Sequence, residues 1–146
     1  MTSGAEVLLV DDNPADIDLT REALTKCEWQ FRVNAVHDGV EAISFLRRQG
    51  QYADAPSPDL IVLDLNLPRR DGREVLSEIK SDPKLARIPV VIFTTSNATS
   101  DVSRSYELGA NCYLRKPGNL SDFITVVHSM ADFWLKFACL PPKEQR

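Results

Sequence analysis

Asp11, Asp12, Asp64, Thr94 and Lys116 are the residues of this chain whose types could do phosphoryl chemistry together. Three carboxylates at one place repel one another unless one is protonated or a cation sits among them. A hard divalent ion meets that need with oxygen ligands. Mg2+ with the ammonium of Lys116 would balance the three negative charges, and a backbone carbonyl after Asp64 could add a ligand. Mg2+ and lysine both suit phosphoryl oxygens. A carboxylate beside them can act as nucleophile and form an aspartyl phosphate, with the Thr94 hydroxyl as a donor to a phosphoryl oxygen. Catalysis of that kind is mostly positioning and charge neutralisation. Taken singly, each of these acids reads equally well as a turn or strand-end residue. The argument therefore rests on whether the fold brings all five together.

Short apolar runs alternate with longer helical patterns, and four of the runs end at these residues. Glu6 to Val10 is continuous rather than alternating, as in a strand buried on both faces, and it leads into Asp11-Asp12. Asn13 can cap a following helix, with Pro14 first, Asp16 in its first turn and Ile17, Ala23 and Leu24 facing inward. Phe31 to Val36 reads as a second strand. Glu41 to Arg48 reads as a helix with Val40, Ile43, Phe45 and Leu46 as its apolar set, stopped by Gly50. Gln49 to Ser57 reads as a solvated loop or, failing that, a partner contact. Leu60 to Leu63 is a third strand ending at Asp64, and Val75, Leu76 and Ile79 mark a helix that ends near Asp82-Pro83. Pro89 to Phe93 leads into Thr94, and a helix is expected from about Ala98 to Leu108, with Gly109 as its left-handed end. Asn111 to Leu114 runs toward Lys116-Pro117, and the last helix is expected from about Leu120 to Phe137 or beyond. Five βα units imply a parallel sheet with helices on both faces and right-handed crossovers. In such sheets ligands bind beyond the carboxyl ends of the strands, where these five side chains would meet.

The ordered set resembles the receiver domain of two-component response regulators. Asp11-Asp12, Asp64, Thr94 and Lys116-Pro117 match in order, Lys116 follows Thr94 by 22 residues, and Gly72 follows Asp64 by eight. The resemblance covers about residues 6 to 138 and implies a flavodoxin-like (βα)5 doubly wound fold, a five-stranded parallel sheet of order 2-1-3-4-5. It implies Asp64 as phosphoacceptor and Asp12, Asp64 and the backbone carbonyl of Asn66 as Mg2+ ligands, with Asp11 reached mostly through water. Mn2+ or Ca2+ could take the same place in a crystal. It implies that Lys116 binds the phosphoryl group and pairs with Asp64 beforehand. Thr94 and the aromatic Tyr113 would form the switch. Thr95 and Gly118 depart from the commonest residues at their positions. The middle loop, the stretch from Thr94 to Asn97 and the region Asp132 to Leu135 are similar to the small response regulators paired with bacterial phytochrome histidine kinases, especially those of cyanobacteria. That narrower resemblance implies a light-regulated kinase as phosphodonor.

The remaining sequence bounds the alternatives. The chain has 146 residues, 43% hydrophobic and 26% charged, ordinary values for one globular domain spanning 1–146. Seventeen Lys and Arg against 21 Asp and Glu leave a net charge of −4, unsuited to nucleic acid. No apolar run approaches the ~18 residues of a membrane span. Cys27, Cys112 and Cys139 make no metal or disulfide pattern, which fits a reducing cytoplasm. Phe123, Val127, Met130, Trp134 and Phe137 recur at steps of 4, 3, 4 and 3. Phe123 and Val127 read as core, while Trp134, Phe133, Phe137 and Leu140 together are more apolar surface than one protomer readily buries. A homodimer through the fourth helix, fifth strand, fifth helix and the extension 120–146 is expected, with Tyr113, Phe133, Trp134, Phe137 and Leu140 at the contact. Pro141-Pro142 and the charged tail read as a frayed end. His37 and His128 read as surface or boundary residues, and Arg69-Arg70 as solvated loop charges. Three rivals remain. An Asp-nucleophile phosphatase would place a general acid where Asn66 stands, and Asn has no proton to give. A flavin-binding protein would need a phosphate-cradling loop where Asp11-Asp12 stand. A phosphorylation-independent pseudo-receiver adaptor is disfavoured by the intact acidic set. A stoichiometric phosphoacceptor, not an enzyme, is the expectation.

Overall fold

The computed structural model describes residues 4–27 and 31–143. Five strands, β1 (Ala5–Val10), β2 (Phe31–Val36), β3 (Leu60–Leu63), β4 (Val90–Thr94) and β5 (Cys112–Arg115), form one parallel sheet of order β2-β1-β3-β4-β5. β1, β3 and β4 are almost wholly buried, as continuous apolar runs require, while the edge strands β2 and β5 are mostly half-buried. Register aligns Val10 with Leu63, Leu63 with Ile92, and Thr94 with Arg115, so the residues after these strands share one edge.

Helices cover both faces. On one, α1 (Pro14–Thr25) and α5 (Leu120–Ala131) pack Ile17, Leu24, Phe123, Val127 and Met130 against Val7, Leu9, Val62 and Phe93. On the other, α2 (Gly39–Leu46) and α3 (Gly72–Ser81) pack Ile43, Phe45, Val75 and Ile79 against Leu8, Val10, Ile61 and Ile92. Each of these four helices starts on a side-chain cap: Asn13, Asp38, Asp71 and Asn119 accept the N–H of Asp16, Glu41, Arg73 and Asp122. α4 (Thr99–Glu107) lacks such a cap and buries only Ser105.

Several expectations need correction. α2 ends at Leu46, and Arg48 (φ 55°) already takes the left-handed turn before Gly50. The loop after it is not simply solvated: a short 3-10 turn, Gly50–Tyr52, sets the Tyr52 ring 5.3 Å from Phe45. The last helix is α-helical only to Ala131. Asp132–Phe137 winds as a π-helix, in which the Ala138 N–H donates to the Phe133 carbonyl at 2.8 Å. Wider winding carries the 4-3-4-3 stripe out of phase, so Phe123, Val127 and Met130 are buried but Trp134 is half-buried and Phe137 is 67% exposed. The segment after it is tied down at the amino ends of the strands. Arg87 donates to the Pro142 carbonyl at 3.4 Å, and Lys143 pairs with Asp59 at 3.1 Å. Residues 144–146 of the expected frayed tail lie outside the described residues.

Candidate functional site

The backbone ladder runs past the strand ends and fixes where the acids stand. The Asp11 N–H donates to Val36, that of Asp64 to Val10, and that of Lys116 to Thr94, at 3.1, 2.9 and 2.7 Å. Asp11, Asp12 and Asp64 each offer a carboxylate oxygen within 4.8 Å of the others. Asp12 is exposed, while Asp11 and Asp64 are buried. Beneath the β3–α3 loop a Cβ on Gly72 would collide with the Asp64 carbonyl, so only glycine lets α3 start this close to Asp64. Asn66 is exposed, and its N–H donates to Asp64 Oδ1 at 3.4 Å.

The Lys116 side chain, 3% exposed, reaches this cluster from β5. Its Nζ donates to Asp11 Oδ2 at 2.7 Å, Asp16 Oδ2 at 2.9 Å and Asp64 Oδ2 at 3.0 Å. Burial alone would lower its pKa. Hydrogen bonds to Asp11 and Asp16, then the charges of Asp64 and Asp11, outweigh burial and hold the ammonium above its ordinary range. Burial pushes the Asp11 carboxyl up, against the pull of Lys116 and of the Asn13 N–H. Three carboxylates around one ammonium, with Asp12 beside them, leave excess negative charge on hard oxygen donors. That donor set fits a divalent cation such as Mg2+ or Mn2+. Asp11, Asp12 and Asp64 could hold it.

Thr94 lies at the end of β4 with its Oγ1 buried and without a hydrogen-bond partner. Tyr113 is half-buried, and its hydroxyl donates to the Ser96 carbonyl at 2.9 Å. Ser96 Oγ donates to Asp101 at 2.5 Å, and Arg73 donates to Asp101 at 2.8 Å and to Asp71 at 3.0 Å. The Asp101 carboxyl is held below its ordinary range by the hydrogen bonds from Ser96 and Arg73. This chain of contacts joins Tyr113 to the start of α3.

The structure brings Asp11, Asp12, Asp64 and Lys116 together and sets Thr94 at the end of the neighbouring β4, and it adds three residues that the sequence does not single out. Asp16 reads as an ordinary acid in a first helical turn, and nothing in the sequence singles out Arg73 or Asp101. The contacts that matter, Asp16 with Lys116 and Arg73 with Asp101, cross the fold over 100 and 28 positions, so no local signal announces them. Arg69 and Arg70 are also not free loop charges: Arg69 (φ 66°) pairs with Asp38 at 3.2 Å, and Arg70 pairs with Glu78. Thr95 and Gly118 are exposed. His37 is exposed beside Glu41, and His128 contacts the Ala23 carbonyl at the α1–α5 boundary. Away from the site, Phe133 and Phe137 are 56% and 67% exposed, and Trp134 and Leu140 are half-buried. Trp134 meets Phe133 edge-on at 5.1 Å.

The pattern of the response regulator receiver domain matches residues 7–128, a span that holds every acidic, hydroxyl and lysine residue of the site. The chain belongs to the response regulator receiver family. It is 49% identical over 135 residues to response regulator Rcp1 of Synechocystis sp., covering 92% of each chain. The crystal structure of Mn2+-bound Rcp1 superposes with a TM-score of 0.92 at 48% identity, over 94% of this chain and 99% of that one. A phosphorylated cyanobacterial phytochrome response regulator, RcpA, superposes at 0.93 and 51% identity, over 96% and 100%. The bacteriophytochrome response regulator AtBRR does so at 0.74 and 38% identity, over 97% and 100%. The receiver fold and its strand order are those of Rcp1. This receiver is thus closely related to regulators solved with a divalent metal and in a phosphorylated state. No helix among the described residues is long and apolar enough to cross a membrane.

Proposed function

We propose that the protein is a phosphorylation-activated response regulator that accepts a phosphoryl group on Asp64 from a sensor histidine kinase of phytochrome type. One observation carries this reading: Lys116 lies 3.0 Å from Asp64 inside the Asp11, Asp12 and Asp64 cluster. An Asp64 oxygen attacks phosphorus, the bond from phosphorus to the donor's imidazole nitrogen breaks, and that nitrogen keeps the electron pair. Lys116 neutralises charge on the phosphoryl oxygens. Asp11, Asp12, Asp64 and the Asn66 carbonyl would hold Mg2+, which, when bound, supplies charge neutralisation at the transferring group. The unpartnered Thr94 hydroxyl then has an acceptor in the phosphoryl group. Its movement biases Tyr113 and the contacts of Ser96, so added charge becomes a change of surface.

The output is protein contact in the cytoplasm. Phe133 and Phe137, with Trp134, Tyr113 and Leu140, supply apolar surface for a homodimer along α4, β5, α5 and the C-terminal extension. Asn66 beside Asp64 cannot serve as a general acid, which favours a stoichiometric phosphoacceptor over a phosphatase.

The test is intact mass after incubation with Mg2+ and acetyl phosphate, for wild type and Asp64→Asn. A Mg2+-dependent gain of one phosphoryl group in wild type alone is expected. No gain in folded protein would leave a phosphorylation-independent adaptor. Native mass across protein concentrations, on the same samples, tests the dimer.

A further inference from the structure

We propose that Asp16 is a positioning residue of the phosphorylation site, holding the Lys116 ammonium over Asp64 from the solvent side. The proposal rests on the reading of Asp64 as phosphoacceptor. A lysine ammonium has three N–H donors, and here Asp11, Asp16 and Asp64 take one each, at 2.7, 2.9 and 3.0 Å. Asp16 is the one acceptor of the three outside the Asp11, Asp12 and Asp64 cluster. Arrival of a cation there draws on Asp11 and Asp64 and leaves the hold of Asp16 intact.

A single cap organises both anchors. The Asn13 N–H donates to Asp11 Oδ1 at 2.9 Å, and Asn13 Oδ1 accepts the Asp16 N–H at 3.2 Å. The turn that starts α1 therefore aims Asp11 and Asp16 at one nitrogen. The Asp16 side chain is 24% exposed and that of Lys116 3%, so Asp16 stands between the ammonium and water. Phosphorylation of Asp64 turns its carboxylate into a mixed anhydride, removes the carboxylate charge of that acceptor and frees the third N–H. With the other two N–H groups fixed by Asp11 and Asp16, the freed one is left pointing at the phosphoryl group.

The alternative is a purely structural role for Asp16, because an acid in a first helical turn complements the helix dipole. Asparagine separates the two, since it keeps an acceptor and loses the charge. The experiment compares wild type, Asp16→Asn and Asp16→Ala in two measurements. The first is the rate of labelling by acetyl phosphate at saturating Mg2+, with the Mg2+ concentration for half-maximal rate. The second is the 1H–15N signal of the Lys116 ammonium in metal-free protein, assigned by its loss in Lys116→Met. Asp16→Ala should label about tenfold more slowly, the factor one hydrogen bond of ordinary net strength is worth. Its Mg2+ requirement should be unchanged and its ammonium signal lost. Asp16→Asn should recover most of the rate and the signal. Wild-type labelling by Asp16→Ala with its signal intact would overturn the proposal, as would an Asp16→Asn protein as slow as Asp16→Ala. If wild type itself takes no phosphoryl group, the phosphoacceptor reading fails. The ammonium signal then decides alone: its loss in Asp16→Ala and survival in Asp16→Asn support the hold, and its survival in both overturns it.

Discussion

Lys116 and Lys80 each set an ammonium against three oxygen acceptors, at opposite ends of the same sheet. At the amino ends of the strands Lys80 donates to the Ala86 and Ile88 carbonyls at 3.1 and 3.0 Å and to Asn111 Oδ1 at 3.1 Å. At the carboxyl ends Lys116 donates to three carboxylates. The donors are alike and the acceptors differ in charge. Burial works against the cation at both places. Only dipoles answer it around Lys80, whose pKa falls below the ordinary range, whereas anions more than answer it around Lys116. Lys80 is therefore a lock, tying α3 to the starts of β4 and β5, and it gathers no negative charge around it. At Lys116 the carboxylates outnumber the cation, and in the proposed function that excess negative charge would hold a metal and supply the nucleophile. Leftover negative charge, not the count of hydrogen bonds, separates the proposed phosphorylation site from the structural lock.

That contrast can be broken most directly at Lys116. Lys116→Met should lower labelling by acetyl phosphate more than about a hundredfold, as loss of a preorganised charge at a reacting group does. It should also destabilise the metal-free fold by about 3–5 kcal/mol in urea unfolding, because buried carboxylates lose their cation, with a smaller cost when Mg2+ is present. Labelling at the wild-type rate would remove the distinction. Lys80→Met should leave labelling unchanged and cost about 1–3 kcal/mol, the penalty for buried carbonyls left without a donor.

The two lysines should also respond oppositely to alkaline pH. Lys80 titrates in the folded state below its ordinary 10.5, so between those values the unfolded chain holds more protons and the Lys80 contribution rises with pH. Lys116 titrates above 10.5, so its contribution is full below that value and is lost as pH rises through the folded-state pKa. Urea unfolding of both Met variants beside wild type, from about pH 9 to about pH 11, checks the two signs. The smallest effect on stability is expected away from both ends. Phe137→Ser should change monomer stability by less than about 0.5 kcal/mol, as exposed substitutions do, while weakening concentration-dependent self-association in native mass.

Much of this was legible in the chain because burial imposes simple patterns. Leu60 to Leu63 had to be a central strand, since four consecutive apolar residues ending at Asp64 suit a position covered on both faces. Asn13-Pro14 announced a helix start by local capping chemistry. The end of α5 was not legible. Each residue from Asp132 to Phe137 is compatible with an α-helix, and the π winding accompanies the packing of Trp134 and Leu135 against the α1–α5 layer.

The sequence by itself determined the βα alternation, the strand ends and the set Asp11, Asp12, Asp64, Thr94 and Lys116, because hydrophobic periodicity and residue type are local. Only the tertiary structure decided that Asp16 shares Lys116, that Arg73 and Asp101 bind the start of α3 to the β4–α4 loop, and which aromatics of the C-terminal segment face solvent. Those outcomes depend on distances between residues as far as 100 positions apart in the chain. They are set by how helices seat on a twisted sheet, and no local spacing encodes them.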